Sequence, residues 1–122
     1  MIINNKIRIN SDLGEGTGVE KDIMPFLSSC SIACGGHTGD KSSMTDTILI
    51  AKKYGVNIGA HPSYPDKENF GRKNISISHT DLSNSLMSQI DDLERIARSL
   101  ETSLNHFKLH GALYNFSAND LE

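Results

Sequence analysis

Tryptophan is absent from this 122-residue chain, and only two cysteines, three prolines and seven other aromatic residues (Phe 4, Tyr 3) are present. Two cysteines cannot build a disulfide scaffold at this length. Cys30 and Cys34 sit four apart with no second Cys pair to complete a zinc site. Sparse proline and the lack of low-complexity tracts argue against disorder. No apolar run approaches a membrane span. The first ten residues, MIINNKIRIN, lack the apolar stretch of an export signal. Reduced thiols and a cytoplasmic location are the expectation, with no membrane partner. Twelve basic and fifteen acidic side chains give a net charge of -3. No basic stripe stands out, so nucleic acid is not the expected partner.

What is present is an alternation of short apolar strands with helical stretches. Lys6 to Asn10 alternates and reads as a first strand, followed by a glycine-rich loop and a short helix over Val19 to Ser29 that Pro25 limits. Cys30 to Gly35 reads as a second strand. Asp40 is placed to cap a helix over Lys41 to Tyr54, with Met44, Ile48, Ala51 and Tyr54 as its apolar stripe and Gly55 at its end. Val56 to His61 reads as a third strand. After a long turn-rich loop, Ser78 and Asp81 have capping-box spacing. Leu82, Leu86, Ile90, Leu93, Ala97 and Leu100 then step at helical intervals. Asn105 to His110 reads as a fourth strand, and Gly111 onward begins a loop or helix. Strands alternating with helices predict an α/β fold with parallel pairing and right-handed crossovers, in one domain over residues 1–122.

Each strand delivers an ionisable group where it ends: Asp12, His37, His61, and Lys108 with His110. Active sites of parallel α/β folds gather at that edge. Every one of these residues has a structural alternative. Asp12 could cap its loop, His37 could be a turn residue, His61 a satisfied core histidine and Lys108 an exposed edge residue. The set suits a water-activating divalent metal held by Asp and His, and equally suits metal-free acid–base work. The stretch GHTGDKS fails the P-loop pattern, because Asp40 intervenes before Lys41 and the glycine spacing is wrong. Backbone N–H groups at that helix start remain a candidate anion site.

The motifs NSDLGEG, SIACGGHTGD, GVNIGAHPSYPD, NFGR and KLHGALYN occur in this order, spanning roughly Ile7 to Asn115. Together they resemble the LamB/YcsF family, understood as the A component of the bacterial ATP-dependent 5-oxoprolinase. The resemblance implies an irregular parallel β/α barrel of the deacetylase and glycoside-hydrolase type. It implies opening of 5-oxo-L-proline to L-glutamate with ATP hydrolysis at the level of a complex, and partner subunits B and C. It places catalytic roles on Asp12, His61, Lys108 and His110, and substrate binding on Glu15, His37 and Arg72. A divalent metal, if used, would take Asp12, His37 and His61, as in a deacetylase-like hydrolase. The chain departs from the family pattern at Ser11, Gly36 and Leu109, and Gly36 in place of a bulky aromatic is expected to loosen the pocket wall. Four strands cannot close a barrel. The chain is therefore expected to be the N-terminal half of one, or an inactive half-barrel that associates through its open edge.

Overall fold

The computed structural model describes residues 8–119. Four strands, β1 (Asn10–Leu13), β2 (Ser29–Ala33), β3 (Asn57–His61) and β4 (Leu104–Phe107), form a parallel sheet in the order β1-β2-β3-β4. The helices α1 (Glu20–Ile23), α2 (Lys41–Tyr54), α3 (His79–Ser99) and α4 (Gly111–Asn119) follow the four strands in turn. Sequential neighbours joined by helices are what right-handed βαβ crossovers produce.

The first strand lies later than the alternation predicts. Lys6 and Ile7 fall outside the described residues, and the ladder with β2 begins at Asn10 opposite Ser29. Asp12 is therefore inside β1, not beyond it. The helix expected over Val19 to Ser29 breaks into α1 and a 3-10 turn at Met24–Phe26. Pro25 offers no N–H to continue the ladder. α2 has the expected bounds, with a reciprocal cap between Asp40 and Ser43 and Gly55 in the left-handed conformation at its end. Asp40 accepts from Ser43 N at 2.8 Å. Its carboxylate thus occupies the helix start that the sequence offered to an anion, and Lys41 and Ser42 are exposed. Tyr54 is 42% exposed, outside the core. At 100° per residue it lies about 80° around the helix from Met44. α3 starts at the Ser78 cap, whose hydroxyl accepts from Asp81 N at 3.1 Å.

One sheet face packs on α2 and α3. Leu13, Cys30, Ile32, Ile58 and Ala60 meet Ile48, Ala51, Leu93 and Ala97 in a buried apolar layer. Burial pushes both thiols up to about 12. The opposite face is polar, and β4 reaches it through an irregularity. Ile58 is paired with Leu104, but Gly59 is paired with His106, which leaves Asn105 as an extra residue. A bulge of this kind reverses which side the following residues face. Leu104 packs on the helix side, while His106 and the residues two and four further on turn to the polar side.

Candidate functional site

The strand exits on the polar face converge. Asp12 lies on β1, Glu15 in the glycine loop after it, His37 after β2 and His61 at the end of β3. Lys108 and His110 follow β4, kept in line by bonds from Lys108 N to Ala60 O and from His110 N to Pro62 O. β1 and β4 are opposite edges of the sheet, yet Lys108 Nζ lies 3.2 Å from Asp12 Oδ1. The sheet curls enough for long side chains of its outer strands to meet. Lys108 is half-exposed with its carboxylate partner, so it carries no buried-charge penalty.

Behind this pair the groups are buried. His61 Nε2 stands 3.4 Å from Asp12 Oδ2 and 3.8 Å from Glu15 Oε2. His37 Nε2 stands 2.6 Å from Glu15 Oε2. His110 Nδ1 stands 3.1 Å from His61 Nε2 and 3.7 Å from Glu15. His37 and His110 stack with ring centroids 3.6 Å apart, and Phe70 meets both edge-on. Burial lowers His61 against the pull of Asp12 and the Lys108 carbonyl. Burial likewise lowers His110 against the Phe70 carbonyl. Burial works to raise Glu15, but the hydrogen bond and charge of His37, with His61 and His110, bring it below the ordinary value. A carboxylate beside imidazoles can move protons, orient water or hold a cation.

Six of the seven residues named from sequence come together. Arg72 does not join them: its guanidinium lies over the Phe70 ring, 4.7 Å from the centroid, on an exposed position. The four donors within 4.8 Å of one another are Glu15, His37, His61 and His110. Glu15 and His110 thus stand where the expected metal set had Asp12, and Asp12 is turned to Lys108. Sequence reading missed Phe70, whose left-handed backbone (φ 53) presents its carbonyl to His110 Nε2 at 2.8 Å. It also missed Ser63 and Gln89. Gln89 accepts from Ser63 N and donates to Ser63 O. The available signal was a polar residue inside the apolar arc of α3. These two correct the reading of Gly36: a Cβ there would fall on Gln89 Oε1 and Ser63 Oγ. The wall is filled from the other side, not loosened.

A cleft of about 290 Å³ opens on Asp12, His61, Lys108 and His110. A larger one, about 750 Å³, lies between the glycine loop and α2, lined by Lys21, Asp46 and Thr47. We assign the site to the smaller cleft, because there the titratable groups converge.

A parallel α/β layer that gathers carboxylates, imidazoles and a lysine at the carboxyl ends of its strands holds a candidate acid–base site at that edge. The chain belongs to the LamB/YcsF family, whose model matches residues 7–122. It is 45% identical over 120 residues to the A component of 5-oxoprolinase from Campylobacter jejuni subsp. doylei, covering 94% of this chain and 47% of that protein. It is 43% identical over 122 residues to the component of the same name from Acinetobacter baylyi, covering 96% and 48%. The crystal structure of the lactam utilization protein from Thermus thermophilus superposes with a TM-score of 0.84 at 35% identity, over 90% of this chain and 47% of that one. The chain spans about half the length of the curated relatives it matches. Among the described residues no helix is long and apolar enough to cross a membrane.

Proposed function

We propose that this chain carries the catalytic edge of the A component of a 5-oxoprolinase, opening 5-oxo-L-proline to L-glutamate in a complex with subunits B and C. The observation that carries this is Asp12, held between Lys108 and His61 at the open mouth of the cleft. The names of the relatives supply the substrate.

The five-membered lactam is an unstrained, stable amide. Phosphoryl transfer from ATP to its oxygen, at the level of the complex, supplies the activation. Asp12 takes a proton from the attacking water as its oxygen bonds to the ring carbon. The C–N bond then breaks with the nitrogen protonated, and a second water releases the phosphate. Lys108 stabilises negative charge on the phosphorylated oxygen. His61 and His110 line the cleft behind Asp12. Glu15 and His37 shape the inner wall, and Arg72 is left for the substrate carboxylate, reached by leaving its seat on Phe70.

Four βα units support a half-barrel, completed by further βα units laid against β4. Phe107 of β4 and Tyr114 and Phe116 of α4 are exposed by 66%, 49% and 48%. Free, buried Cys30 and Cys34 support a reducing, cytoplasmic setting.

The test is the protein with Asp12→Ala, assayed with subunits B and C. Glutamate release should fall ~10²–10⁴-fold with the melting temperature nearly unchanged. Undiminished release removes Asp12 from the chemistry.

A further inference from the structure

Three buried histidines and the partly buried Glu15 share a property that hydrogen bonding alone does not balance. His61 Nδ1 lies 2.7 Å from Lys108 O, and a carbonyl only accepts, so Nδ1 carries the hydrogen. His110 Nε2 lies 2.8 Å from Phe70 O and carries its hydrogen for the same reason. His37 Nδ1 lies 3.1 Å from Ser63 Oγ, whose own hydrogen goes to Tyr64 O. Ser63 therefore accepts and His37 Nδ1 donates. In each neutral ring the remaining nitrogen is a bare lone pair. His61 Nε2 faces His110 Nδ1 at 3.1 Å, and His37 Nε2 faces a carboxylate oxygen at 2.6 Å. A proton on His37 Nε2 satisfies its short contact with Glu15, but no hydrogen is left between His61 Nε2 and His110 Nδ1. Those two lone pairs repel unless a cation lies beside them.

We propose that Glu15 Oε2, His37 Nε2, His61 Nε2 and His110 Nδ1 form a binding site for one divalent transition-metal ion of the zinc type. Metal bonds of about 2.0–2.1 Å set tetrahedral edges of about 3.3 Å. The edges here are 3.1, 3.7 and 3.8 Å for His61–His110, Glu15–His110 and Glu15–His61. To take one ion, the 2.6 Å His37–Glu15 contact would have to lengthen and the stacked rings of His37 and His110 would have to turn apart. Each imidazole already donates its far N–H to an oxygen, which fixes ring and tautomer as outer partners do at metal centres. Burial opposes the alternative of extra protons on His61 and His110. Three nitrogens and one carboxylate suit zinc, and also cobalt or nickel. When bound, the ion supplies a Lewis acid at the floor of the cleft. Asp12 stays outside the set with Lys108, on the open side. The site does not depend on the substrate being a lactam.

The chain, stripped with a chelator, is titrated with Co²⁺ and then Zn²⁺. One equivalent should bind, with the intense visible bands of low-coordinate cobalt that zinc abolishes. Glu15→Gln and His110→Ala should each weaken binding by ~10²-fold or more, and Asp12→Asn should leave it within ~3-fold. Nitrogen-15 spectra of the wild type keep the test decisive if a variant fails to fold. Zinc should move His61 Nε2 and His110 Nδ1 out of the lone-pair range. Binding no greater than background, nitrogen shifts that zinc leaves unmoved, or binding lost in Asp12→Asn and kept in His110→Ala would each overturn the site.

Discussion

Two polar layers lie one above the other on the same sheet face, and they are built on opposite principles. In the lower layer His106 crosses β3 above Gly59, with Nδ1 2.5 Å from Asn105 Oδ1 and Nε2 3.3 Å from Asn10 Nδ2. Asn10 also donates to Ser29 Oγ at 2.8 Å, and Ser31 donates to Asn10 Oδ1 at 3.1 Å. Each acceptor in this layer faces a donor, and His106 Nε2 faces two, Asn10 Nδ2 and Ser31 Oγ at 3.1 Å. The upper layer, two residues further along β1 and β4, collects acceptors at its centre and leaves its lysine on the rim. A balanced network ties strands together. An unbalanced one is built for something that arrives from outside. The contrast separates structural from functional polarity without reference to any relative.

Activity in the complex is the most demanding test of this contrast. His61→Gln should lower ring opening by ~10²-fold or more, while His106→Asn should change it less than ~10-fold. Equal losses would erase the distinction between layers. Next is Gly59→Ala, whose Cβ would overlap the His106 ring. Denaturant unfolding should show a loss of about 1–3 kcal/mol. In a double-mutant cycle, His106→Ala should relieve much of it; additive losses would mean that the two do not share that space. A smaller effect is expected from pH. Burial lowers His106 from 6.5, so the unfolded chain takes its proton first. Its contribution to stability is complete above pH 6.5 and is lost as pH falls toward the lowered folded value. His106→Asn should flatten the decline in melting temperature over that range, and an unchanged slope would refute the assignment. The least effect belongs to the rim: Lys108→Met should cost under about 1 kcal/mol of stability, because the Asp12 pair is solvated.

Much of this was legible in the sequence. Asp40 and Gly55 bound α2 as the capping rules require, and Leu93 and Ala97 of the α3 stripe are fully buried. Asp12, Glu15, His37, His61, Lys108 and His110 do meet. Other features were not legible. KIRIN alternates, but pairing with β2 starts only at Asn10, so alternation marked the wrong end of the strand. Arg72 has the chemistry for a site, but its guanidinium rests on Phe70, outside the cluster. Local sequence does not encode which of two reachable partners a long side chain takes.

Spacing along the chain was enough to set the alternation of strands and helices, their caps, and the chemical types waiting at the strand exits. Which way those groups face was settled only by the folded sheet. The extra residue Asn105 in β4 reverses the side on which His106, Lys108 and His110 emerge. The curl of the sheet then brings Lys108 to Asp12 across two intervening strands. Carbonyls of Lys108 and Phe70, remote in sequence from the rings they orient, fix where the histidine lone pairs point. Face, curvature and tautomer are properties of pairing between distant segments, and no local pattern carries them.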